Sequence, residues 1–78
     1  MSMDVRHLRA FVAVFEARNV TQAARLLCIT QPTLSATLAQ LEASLGTRLF
    51  LRQARGVEPL EAARRLYPQV RRLLAELS

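Results

Sequence analysis

Apolar residues recur at helical spacing near the start of the chain, where Val5, Leu8, Phe11, Val12 and Phe15 form one stripe. They predict a helix from about Asp4 to Ala17, with Asp4 and Arg18 at the ends its dipole favours. Arg18-Asn19 breaks the rhythm. A second, short helix follows, with Thr21 as its expected N-cap and Gln22-Ala23-Ala24-Arg25-Leu26-Leu27 as its body. The alanine pair is small enough to let a neighbouring helix approach closely. Cys28-Ile29-Thr30 reads as a tight turn.

Thr30 is a suitable cap for a third helix, and Pro32 falls in its first turn, where a missing N–H is harmless. Leu34, Leu38, Leu41 and Leu45 form its core face, and Gly46 is a suitable terminator. The opposite side carries Gln31, Thr33, Ser35, Ala36, Thr37 and Gln40. These are hydrogen-bonding or small groups without charge, unlike the Glu/Lys mixture of an ordinary solvated helix. That face is suited to lie against another surface.

Periodicity then shortens. Leu49-Phe50-Leu51-Arg52 predicts a strand, Gln53-Ala54-Arg55-Gly56 a turn and Val57-Glu58 the returning strand, ended by Pro59. This hairpin carries Arg52 and Arg55 at or near its tip. From Leu60 to Ser78 the helical pattern returns: Ala63, Leu66, Val70, Leu73 and Leu77 step by three and four, a coiled-coil rhythm. Pro68 predicts a kink between Arg64 and Pro68.

Two helices joined by a three-residue turn, the second opening with polar side chains, form a helix-turn-helix pattern. In that arrangement the first helix crosses the DNA backbone, with amides near Thr21 and Gln22 meeting a phosphate. The second enters the major groove, where Gln suits adenine and a Thr methyl suits thymine. Charge supports a polyanionic partner. Eleven basic residues, all arginine, face six acidic ones, for a net charge of +5.

Other chemistries find little support. One cysteine and one histidine in 78 residues make neither an internal disulfide nor a protein-only zinc site. Met1 to Val14 is too charged for a signal peptide, and no apolar run reaches the roughly 20 residues of a membrane span. A reducing cytoplasm is the expected compartment. Cys28 reads as a structural turn residue, His7 as solvent-facing, and Arg64, Arg65, Arg71 and Arg72 as solvated or paired flanks of the last helix. Glu58 and Glu61 resemble a carboxylate pair, yet no nucleophile, metal ligand or phosphate loop accompanies them. No catalytic constellation is present, so the expectation is not an enzyme and no cofactor.

The runs Leu8-Arg9-Ala10-Phe11-Val12-Ala13-Val14 and Thr21-Gln22-Ala23-Ala24-Arg25-Leu26-Leu27 resemble the N-terminal domain of LysR-type transcriptional regulators. So do Thr30-Gln31-Pro32-Thr33-Leu34-Ser35, Leu41-Glu42 and Leu45-Gly46-Thr47-Arg48-Leu49-Phe50. Arg52 and Arg55-Gly56-Val57 are similar to that family's wing, and Arg65-Leu66-Tyr67-Pro68 to its linker helix. The resemblance covers nearly the whole chain in consistent order. It implies a mainly α fold: a winged helix-turn-helix of three helices and a β-hairpin over residues 1–59, then a linker and dimerisation helix over 60–78.

The resemblance also implies double-stranded DNA as partner, an interrupted palindrome as target, and a homodimer paired through the last helix. A small-molecule effector is expected only if a C-terminal domain exists in the full-length protein. The DNA-facing set is Thr21, Gln22, Thr30, Gln31, Pro32, Thr33, Ser35, Thr37, Arg52 and Arg55; the dimer set is Leu66, Val70, Leu73 and Leu77. Three departures from the family's pattern stand out. Ala36 stands where many members carry arginine, Pro59-Leu60 replaces the usual Leu-Thr, and Ala63 replaces a frequent glycine. The competing reading is a protein–protein interaction module on the same scaffold, prompted by the absence of arginine between Leu26 and Thr47.

Overall fold

The computed structural model describes residues 3–77, so the expected limits at Met1 and Ser78 lie outside the described residues. Its elements in chain order are α1 (Val5–Ala17), α2 (Val20–Leu27), α3 (Gln31–Leu45), β1 (Phe50–Gln53), β2 (Gly56–Pro59) and α4 (Glu61–Leu77). Each of the first three helices begins on a side-chain cap and ends on a left-handed residue. Asp4 caps α1 by accepting the Arg6 amide at 2.8 Å, and His7 closes a capping box. Thr30 caps α3 by accepting the Thr33 amide at 3.2 Å. Arg18, Cys28 and Gly46 turn the chain out of α1, α2 and α3 with φ of 56°, 60° and 69°.

The cap of α2 differs from expectation. Asn19, not Thr21, precedes the helix, and its side chain accepts the Gln22 amide at 2.8 Å. Val20 is the reason: it is buried in the common core, which draws the helix start back by two residues and leaves Thr21 inside the first turn.

The three helices and α4 close on a single core, in which Phe11, Val14, Leu34, Leu41, Leu49 and Val70 are the largest fully buried side chains. Phe11 sets its centre, with the Phe15 and Phe50 rings 5.9 and 5.7 Å away. Ala23 and Ala24 are buried, so α2 packs on its neighbours without a bulky spacer.

His7 is another departure, being buried at 5% exposure rather than solvent-facing. Its Nδ1 accepts the Asp4 amide at 3.1 Å, which leaves Nε2 to donate to Gln40 Oε1 at 3.0 Å. Because both ring nitrogens have partners, the burial leaves no unmet polar group.

The antiparallel hairpin pairs Phe50 with Pro59, Leu51 with Glu58, Arg52 with Val57 and Gln53 with Gly56. Alternation puts Phe50, Arg52, Val57 and Pro59 on one face, of which three are buried. Backbone amides help fix the hairpin to the body. The Val57 amide donates to the Arg18 carbonyl at 3.0 Å, and Glu42 Oε2 accepts the Leu49 amide at 2.7 Å.

Helix α4 remains α-helical through Pro68, the site of the expected kink. The proline ring removes the amide that would otherwise bond the Arg64 carbonyl, and Arg64 is an exposed residue. Ala63 and Val70 belong to the common core at 0% and 1% exposure. Val70, a member of the predicted dimer stripe, is thus already packed within the subunit. The physical reason is that α4 packs back across α1.

Candidate nucleic-acid interface

The first half of α3 lies open to solvent. Gln31, Pro32, Thr33 and Ala36 are exposed, Ser35 and Thr37 half-exposed, while Leu34 and Leu38 anchor the helix from beneath. No carboxylate interrupts this surface between Gln31 and Leu41.

The start of α2, the start of α3 and the hairpin enclose a groove of ≈ 320 Å³. Thr21, Gln31, Arg52 and Arg55 all line it, so four of the predicted contacts converge from three elements. The others divide. Thr33 and Thr37 lie across α3, beside Arg6 and Arg9 of α1. Thr30 is engaged in its cap, donating to Thr33 Oγ1 at 2.8 Å. The Gln22 amide is taken by Asn19, which leaves the amides of Val20 and Thr21 as those without an intrahelical acceptor.

Hydrogen bonding also limits what the threonines offer. Thr37 donates its hydroxyl proton to the Thr33 carbonyl at 2.9 Å, so what it offers a partner is an acceptor oxygen and a methyl rather than a donor. Gln31 is exposed and is the longest hydrogen-bonding side chain at the front of the helix.

Arginines surround this face unequally. Arg55 occupies the exposed hairpin turn. Arg52 lies one pair back on the strand, and its Nη2 donates to Ser35 Oγ at 2.8 Å. On α4 the arginines are largely paired: Arg64 with Glu58 at 3.1 Å, Arg65 with Glu61 at 3.2 Å and Arg71 with Glu16 at 3.6 Å. The two carboxylates Glu58 and Glu61 thus each hold an arginine.

Sequence reasoning overlooked several positioning residues: Asn19 at the cap, Glu42 beneath the hairpin, and the His7–Gln40 pair. Asn is a frequent N-cap, so Asn19 was visible in principle. The others depend on partners brought together by folding.

Three packed helices, the third exposed and flanked by an arginine-bearing hairpin, define a winged helix-turn-helix. The chain belongs to the lysR family of bacterial regulatory helix-turn-helix proteins, whose model matches residues 5–64.

Individual relatives agree. The HTH-type transcriptional regulator BudR of Raoultella terrigena is 49% identical over 73 residues, covering 94% of this chain and 25% of that protein. The crystal structure of the BenM_DBD/catB site 1 DNA complex superposes with a TM-score of 0.91 at 41% identity, covering 96% of this chain and 84% of that one. The CbnR_DBD-DNA complex gives 0.92 at 37% identity, covering 96% and 86%. The chain thus spans about a quarter of the length of that BudR and most of the length of the two DNA-complexed chains.

Proposed function

We propose that this chain is the DNA-reading module of a transcription regulator. The observation that carries the reading is the exposed, uncharged front of α3, set between the hairpin arginines and the start of α2. In this reading α3 enters the major groove, with Gln31 against an adenine edge and the Thr33 methyl against thymine. The free amides at the start of α2 meet a phosphate, and Arg55 grips the strand beside the groove. Two structural neighbours with the same fold are DNA complexes, which supports duplex DNA as the partner.

The module acts as a homodimer on an interrupted palindrome. Leu73 and Leu77 are the large exposed hydrophobic residues of α4, at 51% and 61%, and Leu66 is half-buried. A 17-residue helix spans about 26 Å, on the scale of the ~34 Å between successive major-groove half-sites. The proposed setting is the bacterial cytoplasm, with no catalytic role. Among the described residues no helix is long and apolar enough to cross a membrane. Effector sensing belongs to any additional domain of the full-length protein.

Selection of duplexes from a random library, followed by mobility-shift titration of the winners, tests the reading. A symmetric site is expected, with log affinity falling against log salt by about 0.9 per phosphate contacted. Gln31→Ala should relax preference at one base pair, by roughly 1–3 kcal/mol. Unchanged affinity and preference in Gln31→Ala would remove α3 from the groove. Retention of no duplex at low salt, beside a stable complex with another protein, would favour the interaction-module alternative.

A further inference from the structure

We infer that Arg52 is a base-reading residue of the interface, directed at guanine, and that Ser35 positions it. The inference rests on the DNA-binding reading above and assigns Arg52 a role distinct from that of Arg55.

The two hairpin arginines differ by one structural feature. Arg55 is in the turn, where nothing restrains it to a face. Arg52 is on the hairpin face whose other members, Phe50, Val57 and Pro59, are buried against the body. Its stem therefore runs toward α3, and its guanidinium reaches Ser35 Oγ, 17 positions earlier in the chain. An arginine that held only flanking phosphate would be better placed on the outer face, with Leu51 and Gln53.

Charge and donor count point the same way. No ion pair neutralises Arg52 among the described residues. Glu42, the carboxylate sharing its hollow, already accepts the Leu49 amide. One N–H of the guanidinium binds Ser35, and the others keep the planar fork that matches guanine O6 and N7.

The recognition helix itself has no such group. From Gln31 to Leu45 it contains no basic residue, and Ala36, next to Ser35 and exposed, has no donor. A guanidinium at the front of α3 must therefore come from outside the helix; Arg6 and Arg9 lie beside Thr33 and Thr37, but Arg52 is the arginine that hydrogen-bonds a side chain of α3, at Ser35. Ser35 limits its rotamers, which turns a mobile cation into a fixed reader.

The test compares sites selected by the wild-type chain, Arg52→Lys, Arg52→Ala, Ser35→Ala and Ser35→Thr, each first shown by circular dichroism to be folded. The wild type should select one G·C pair in each half-site. Arg52→Lys keeps the charge but loses the fork, so discrimination at that pair should fall about tenfold, with every other position unchanged. Ser35→Ala should weaken the same position alone, and Ser35→Thr should restore it.

Selection of identical sites by Arg52→Lys and the wild type would overturn the inference. So would an Arg52→Ala variant that weakens all duplexes by one factor while its salt slope falls by about 0.9, the signature of a phosphate contact. In both cases the wild type would still bind DNA, leaving the function proposed above intact. Failure of the wild type to retain any duplex would sink both.

Discussion

Gly56 shows how one residue sets the attitude of the wing. Its φ of +141° is a conformation that L side chains rarely adopt, and an added Cβ would stand 2.6 Å from the Arg18 carbonyl oxygen. That same oxygen accepts the Val57 amide, so the hairpin is bonded where a side chain would force it away. Gly56→Ala should destabilise the domain by about 1–3 kcal/mol, lowering its melting temperature by roughly 10 °C. A melting curve matching the wild type would show that the wing does not depend on this approach.

Asp4 makes a second residue-scale contribution. The Arg6 guanidinium and amide hold its carboxyl at about 2, below its usual 3.8. The cap is therefore complete above pH 4 and is lost as pH falls toward 2. Because Asp4 is exposed, the effect is local fraying of α1 rather than acid unfolding.

At the scale of elements, the decisive contact joins α1 to α4. The Phe15 and Tyr67 rings stack at 4.1 Å with an interplanar angle of 12°, and the Tyr67 hydroxyl donates to Glu16. Arg71 adds an ion pair to the same carboxylate. This cluster sets how α4 leaves the helix-turn-helix body.

The Glu16 bond, followed by burial, raises the Tyr67 phenol above its ordinary 10.0. The folded state thus holds that proton more tightly. The contact contributes fully below pH ~10 and is lost as pH rises through the higher folded value. Tyr67→Phe keeps the stacking and removes the bond, so it should destabilise by about 0.5–1 kcal/mol. It should also flatten the alkaline limb of the stability profile above pH 10. An unchanged limb in thermal melts across that range would exclude Tyr67 as its source.

Most helices were legible locally because their apolar spacing, Pro32, Thr30 and Gly46 are short-range signals. The α2 cap was misplaced for a tertiary reason: burial of Val20 pulled the helix start back to Asn19.

For the whole molecule, the subunit core uses only part of the apolar stripe of α4. Ala63 and Val70 complete the subunit core, and Leu73 and Leu77 remain exposed. Replacing either exposed leucine should therefore affect pairing more than folding. Leu73→Glu should shift the chain toward monomer in light scattering while leaving its circular dichroism unchanged, and should weaken binding to a two-half-site duplex more than to a single half-site. Equal losses on both duplexes would argue against pairing through α4.

Periodicity, caps and turn residues along the chain determined the order of elements, the winged helix-turn-helix class and the front of α3 as the candidate reading surface. Each of these depends on neighbours within a few positions. Only the tertiary structure decided that His7 pairs with Gln40, that Tyr67 reaches Glu16, that Val70 faces inward and that Arg52 rests on Ser35. Those partners lie 33, 51 and 17 positions apart in the three hydrogen-bonded pairs. A polar side chain carries no local mark of the distant group that will satisfy it; packing of the core brings the two together.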